Sequence, residues 1–219
     1  MYVMTTPVRR RRHSISRDEI VTAAFAMFEG GAIDVSLRAV AARIGASPMG
    51  LYAHIATKRD LLDGVAERVL AELPADAGDG DWITAAVEQA STHLAVLRAH
   101  PWAVPILLAR PNPGPAAAVA GEGYLRVLGR GLAPDTAAVA FTAILALVYG
   151  TAAFVTAPGR EPDAQERAEV VDGIRRTEGL EGLEHASAAA STLAEYGSES
   201  QFRRSVRALL DGFALSAGG

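Results

Sequence analysis

Residues Ser36 to Leu62 read SLRAVAARIGASPMGLYAHIATKRDLL. Leu37, Val40, Ala41 and Ile44 recur at helical spacing behind Ser36, a residue type that caps helices. Gly45 then supplies a left-handed stop. Ser47 caps again, with Pro48 at the first helical position, where its missing N–H costs nothing. Leu51 and Ile55 point inward at Ile44, and Thr57 followed by Asp60 begins another helix. Two short helices about a glycine turn, leading directly into a third, form a helix-turn-helix.

Such a unit lays its second helix in the DNA major groove, with N-terminal residues toward base edges. Here Ser47, Pro48, Met49, Gly50 and Ala53 fall on the exposed side. They are small or apolar, suited to thymine methyls and poor in hydrogen bonds. Gly50 lets the backbone come close. Arg38, at the start of the preceding helix, is the candidate for bidentate contact with a guanine. Tyr52, His54, Thr57 and Lys58 each carry a donor at the far end of the recognition helix, as phosphate contacts require. Lys58 is the chain's only lysine.

Upstream, Ser16 with Glu19 marks a helix start, and Ile20, Ala23, Ala24, Met27 and Phe28 share one face before Gly30-Gly31 ends it. Residues 1–15 read as a disordered basic arm, whose Arg9–Arg12 can track the DNA backbone or enter the minor groove. The helix begun at Thr57 continues through Leu62, Val65, Val69 and Leu73 to Pro74. Beyond a turn-rich connector at Ala75–Asp81, helical patterns occupy Trp82–Ala99, Pro101–Arg110, Ala116–Arg130, Asp135–Ala157, Asp163–Arg176, Glu184–Tyr196 and Ser198–Leu215. The expected fold is all-α: a three-helix DNA-binding domain over residues 16–62, then a helical body over 63–219.

Half of the 219 residues are apolar, enough to bury a substantial core. With no cysteine there is neither a disulfide framework nor a thiolate metal site, and a reducing, cytoplasmic compartment is the natural expectation. The N-terminal arginines precede no apolar run of the secretory kind. Net charge is −4 overall but unevenly placed: residues 1–62 hold nine Lys/Arg against five Asp/Glu. The basic end can be drawn to phosphate while the acidic remainder keeps off it. From Thr136 to Gly159 no side chain is charged, long enough to cross a bilayer. Its Ala/Thr content and lack of flanking anchors favour instead a helix with its own domain on one side and a partner subunit on the other, so no membrane is expected.

The stretch Leu51–Asp63, of pattern LY-x-H-I-x-x-K-R-x-LLD, resembles the DNA-binding domain of the TetR family of transcriptional regulators, in its tetracycline-repressor branch. The likeness is dense over residues 16–70 and thinner afterwards, in the ARP of Ala109–Pro111, the GLAPD of Gly131–Asp135 and Gly150. It implies base-side roles for Arg38, Pro48, Met49 and Gly50 and phosphate roles for Tyr52, His54 and Lys58. The residue types at 48–50 depart from the tetracycline repressor, so the operator is expected to differ. The resemblance further implies a C-terminal half that binds a small molecule and dimerises through a four-helix bundle. Asp135–Ala157 and Ser198–Leu215 become the dimer helices, with Val139, Ala146, Phe202, Val206, Leu209, Leu210 and Phe213 as candidate interface residues. The family's magnesium-tetracycline ligands are replaced near Ile106, Ala146 and Phe154. A metal-free, mostly apolar effector is therefore expected, with no cofactor.

Candidates to line its pocket are His93, Leu97, Trp102, Ile106, Tyr124, Phe141, Leu145 and Tyr149, since such pockets are apolar with few polar groups. His93 and His100 share a helical face, but no carboxylate completes a metal set with them. No G-x-S-x-G, H-E-x-x-H or nucleophile–base spacing is present, and the Gly-x-Gly pairs follow no strand, so an enzyme is not expected. The expected function is a homodimeric, ligand-responsive repressor on a pseudo-palindromic duplex operator. The alternatives are an activating or effector-less regulator, and an enzyme or ligand carrier that keeps the helix-turn-helix as scaffold.

Overall fold

The computed structural model describes residues 15–75, 78, 80–109, 114–154, 163–176 and 184–217, and among them there is no strand. Arg9–Arg12 lie outside the described residues. The chain divides into two compact units, one ending at Val65 and the other beginning at Ala66.

In the first unit, α1 (Arg17–Glu29), α2 (Leu37–Arg43) and α3 (Pro48–Tyr52) each start on a serine whose hydroxyl accepts a backbone N–H: Ser16 from Glu19 at 3.1 Å, Ser36 from Ala39 at 3.1 Å, Ser47 from Gly50 at 3.2 Å. Gly45 turns the chain between α2 and α3 at φ +68°, a conformation costly for any residue with a Cβ. The recognition helix is short. Its last amides, on His54 and Ile55, both reach the Leu51 carbonyl at 2.9 Å, so Ile55 is buried although α3 has already ended. Ile20, Ala24, Val35, Val40, Leu51 and Ile55 meet in the core. Burying each of the larger ones contributes about 1.5–3 kcal/mol.

Helix α4 (Lys58–Leu70) starts on a reciprocal cap: the Asp60 amide donates to Thr57 Oγ1 at 3.1 Å and the Thr57 amide to Asp60 Oδ2 at 3.0 Å. Its buried stripe is Leu61, Val65, Ala66, Val69 and Leu70. Leu62 and Leu73, expected inside, are only half-buried, because Leu61 rather than Leu62 lies in register with Val65 and Val69.

The second unit holds α5 (Trp82–Ala99), a 3-10 turn (Pro101–Ala103), α6 (Val104–Leu108), α7 (Pro115–Leu128), α8 (Pro134–Phe154), α9 (Ala164–Arg175), α10 (Glu184–Ala194) and α11 (Glu199–Ala217). Helix α5 packs against α7, α8 and α11, and α9 packs on α10. The single helix expected over Pro101–Arg110 is two pieces: Pro105 has no N–H, so the Pro101 carbonyl is taken by the Val104 amide. Helix α8 buries one stripe, Ala137, Ala140, Ile144 and Val148. By length and mean hydropathy it could cross a membrane, and only 22% of its most apolar window is buried within the subunit.

Helix α11 starts on Ser198, whose Oγ accepts from the Gln201 amide at 3.1 Å, while the Gln201 side chain donates to the Thr192 carbonyl. One expectation for this helix is corrected. Phe202, Val206 and Leu210 are buried within the subunit on the side facing α5 and α8, so they are not free to face a partner. Leu209 and Phe213 are half-buried.

Candidate nucleic-acid interface and effector cavity

In the first unit, Arg38 stands exposed in the first turn of α2. Ser47 and Pro48 are exposed and Met49 is 83% exposed, an apolar side chain held in water with no intramolecular use. Gly50 is half-buried, and a Cβ there would sit 3.4 Å from Ser47 Oγ and 3.6 Å from Ile15, ordinary contacts inside the protein. Tyr52, His54, Thr57 and Lys58 are all exposed, with the Thr57 hydroxyl engaged in starting α4. The Lys58 ammonium pairs with the carboxylate of Asp34, and that pairing holds the Asp34 carboxyl below its usual range. Asp34 was not legible as a site residue, because its partner lies 24 positions away.

In the second unit, a cavity of about 700 Å³ opens among α4 to α8. His93, Tyr124, Phe141, Leu145 and Tyr149 line it as expected. Leu97 is wholly buried in the core instead, and Trp102 stacks edge-on against His100 at 5.9 Å. Ile106 is not on the wall; α6 presents Leu107 and Leu108 to it. Leu70 and the small residues Ala117, Ala120 and Gly121, which leave room beside Tyr124 on α7, line it as well, beyond the residues expected from sequence. Their signal was present: with Tyr124 they fall on one helical face.

No Asp, Glu, Lys or Arg is among the described lining residues. His93 is 3% exposed, and burial drives its pKa down to about 4, so the ring is neutral near pH 7. Burial raises the phenols of Tyr124 and Tyr149, keeping both protonated. Tyr124 Oη lies 3.4 Å from His93 Nδ1, and Tyr149 meets the imidazole edge-on at 5.6 Å. Among the buried polar atoms with no partner in the described residues are His93 Nε2 and, one turn earlier on α5, Gln89 Oε1. His93 and His100 do not converge, since His100 Nε2 sits 3.1 Å from Glu72. Among the described residues no three His, Asp or Glu gather as a metal site would need.

Two further features belong to this unit. Glu67 Oε2 accepts from Ala116 N at 2.8 Å and Oε1 from Ala117 N at 3.4 Å, placing a carboxylate on the N-terminus of α7. A Cβ at Gly114 would lie 2.0 Å from the Glu67 side chain, which explains the glycine. Between α8 and α11 runs a smaller groove of about 320 Å³ that includes Ala146, Gly150 and Ser205.

A helix-turn-helix unit joined to an all-helical unit with an apolar cavity defines the class of two-part helical regulators. The sequence profile of the Tetracyclin repressor-like, C-terminal domain matches residues 73–216, and the chain belongs to that family, TetR. Its members are DNA-binding transcription factors and not enzymes. Among curated relatives, the HTH-type transcriptional repressor DrrR1 of Streptomyces coeruleorubidus is 37% identical over 114 residues, which span 51% of this chain but only 42% of that protein. An HTH-type transcriptional regulator of Saccharopolyspora erythraea is 27% identical over 95% of this chain and 89% of its own length. Among solved structures, the TetR family protein ActR of Streptomyces coelicolor, in complex with actinorhodin, superposes with TM-score 0.80 at 23% identity, covering 94% of this chain and 98% of ActR.

Proposed function

We propose that this chain is a cytoplasmic transcriptional repressor that binds a pseudo-palindromic duplex operator as a homodimer and is released by a small, mostly apolar effector. The observation that carries the reading is the pairing of an exposed, donor-rich recognition face with a neutral, apolar cavity in the second unit. ActR, of the same family and fold, is seen with a small molecule bound. Arg38 of α2 and Pro48 and Met49 of α3 read base edges, with Ser47 capping α3; Tyr52, His54, Thr57 and Lys58 hold phosphates. Two recognition helices stand about one DNA turn apart in the dimer. The effector acts through its different affinity for two placements of α4, the helix in which the boundary between the units falls.

The test is selection of an operator from random duplexes by the purified protein, followed by release of the bound operator with fractionated metabolite extracts. A palindromic consensus and a releasing fraction are expected. Equal binding to every duplex would remove the operator, and release by no fraction would remove the effector.

A further inference from the structure

The cavity's chemistry narrows what it can hold, given that it is the effector site proposed above. Its described lining offers no formal charge to a ligand. A charged group entering it would lose its water and gain no counter-ion. Tyr124, Phe141 and Tyr149 give it three aromatic walls, with Tyr124 and Phe141 rings 5.3 Å apart. The volume is that of a small organic molecule.

The polar anchor is His93. Tyr124 remains a phenol, and its O–H faces His93 Nδ1. In the tautomer that uses this proton, Tyr124 donates to Nδ1 and Nε2 carries the ring hydrogen. The opposite tautomer would leave the phenol proton without this acceptor. Nε2–H is therefore a buried donor, on a residue that lines the cavity, with no protein acceptor among the described residues. Such a group is costly alone and is satisfied by an acceptor arriving with a ligand.

We infer that the ligand of this cavity is an uncharged, aromatic molecule carrying a carbonyl-type acceptor that receives a hydrogen bond from His93 Nε2.

Three probes of nearly one shape test it: fluorenone, which has the carbonyl; fluorene, which lacks it; and fluorenone-2-carboxylate, which adds a charge. Binding is followed by calorimetry and by quenching of intrinsic fluorescence, with operator release measured in parallel. Fluorenone is expected to bind about tenfold more tightly than fluorene, and the carboxylate at least about a hundredfold more weakly than fluorenone. His93→Phe should erase the preference for fluorenone while retaining fluorene, and His93→Gln, which restores a donor, should recover part of it. Equal binding of fluorenone and fluorene, or undiminished binding of the carboxylate, overturns the inference and leaves the effector site standing. Binding of none of the three up to their solubility limits overturns both.

Discussion

Lys58 has two anions in view: Asp34 in the free protein and, in the proposed complex, a DNA phosphate. Both Asp34 and Lys58 are exposed, so the pair adds little to stability and can be exchanged for the phosphate. Lys58→Ala is expected to weaken binding to every duplex alike and to lower the slope of log affinity against log salt by about one. Asp34→Asn should do the reverse, tightening all duplexes several-fold, and should have no effect once Lys58 is alanine. Arg38→Ala should instead relax discrimination at one base pair, by about 1–3 kcal/mol. Anisotropy titrations over a salt series separate the three, and equal loss of specificity in the Lys58 and Arg38 variants would sink this division of labour. His93 makes a different kind of prediction. Its folded pKa of about 4 lies below the ordinary 6.5, so the unfolded chain binds the proton more readily. The stability that goes with the neutral ring is complete above pH 6.5 and declines as pH falls toward 4, by about 3 kcal/mol in all. Urea unfolding at stepped pH should show that decline shallower in His93→Gln than in the parent; parallel profiles would refute it.

Elements differ in how far their own residues announce them. The starts of α1, α2 and α3 were legible because a serine cap and a glycine at positive φ are satisfied within a few residues. What escaped depends on a partner far along the chain. Leu61 and Leu62 are adjacent and equally apolar, and only the neighbours that α4 meets decide which goes inside. The stripe Phe202, Val206 and Leu210 was legible as a buried face, but whether it is buried by α5 and α8 or by a second copy is not written in its spacing. The aromatic cavity residues were found because they are large; Ala117, Ala120 and Gly121 shape the same space by what they lack. Glu67 is the instructive case. In sequence it is one more acid on a solvated helix, yet it caps α7 from 49 residues away. Through it, α7, whose face lines the cavity, is tied to α4. Glu67→Ala should lower stability by about 1 kcal/mol, as loss of a helix cap does. In the proposed repressor it should also blunt effector-driven release while leaving operator affinity nearly unchanged. Gly114→Ala, which drives a methyl into the Glu67 carboxylate, should reproduce that blunting. A normal release curve in both variants would show that this link transmits nothing.

At the scale of the molecule, the open side of α8 asks for a covering. Val139 is 56% exposed, and Thr142 and Ala146 continue its row one and two turns on, toward the groove beside Ser205 of α11. No charge interrupts α8 after Asp135, so water is a poor neighbour for that row. A membrane would also suit an apolar helix, but α8 is already packed against α5, α6, α7 and α11. Lipid on every side is therefore not its environment, whereas a second α8–α11 pair needs only the open face. Small residues at Ala146, Gly150 and Ser205 allow helices to approach closely there. Val139→Arg tests the arrangement without touching the subunit's own core, because the side chain is mostly in solvent to begin with. A dimer would have to bury that guanidinium against an apolar surface, at a cost of several kcal/mol. Sedimentation at micromolar concentration should then find a folded monomer, with unchanged helicity and no need of detergent. Its affinity for a full operator should fall toward that of a half-site, since the second recognition helix no longer arrives with the first. A variant that still sediments as a dimer and holds the full operator as tightly as the parent would place the partner on some other face.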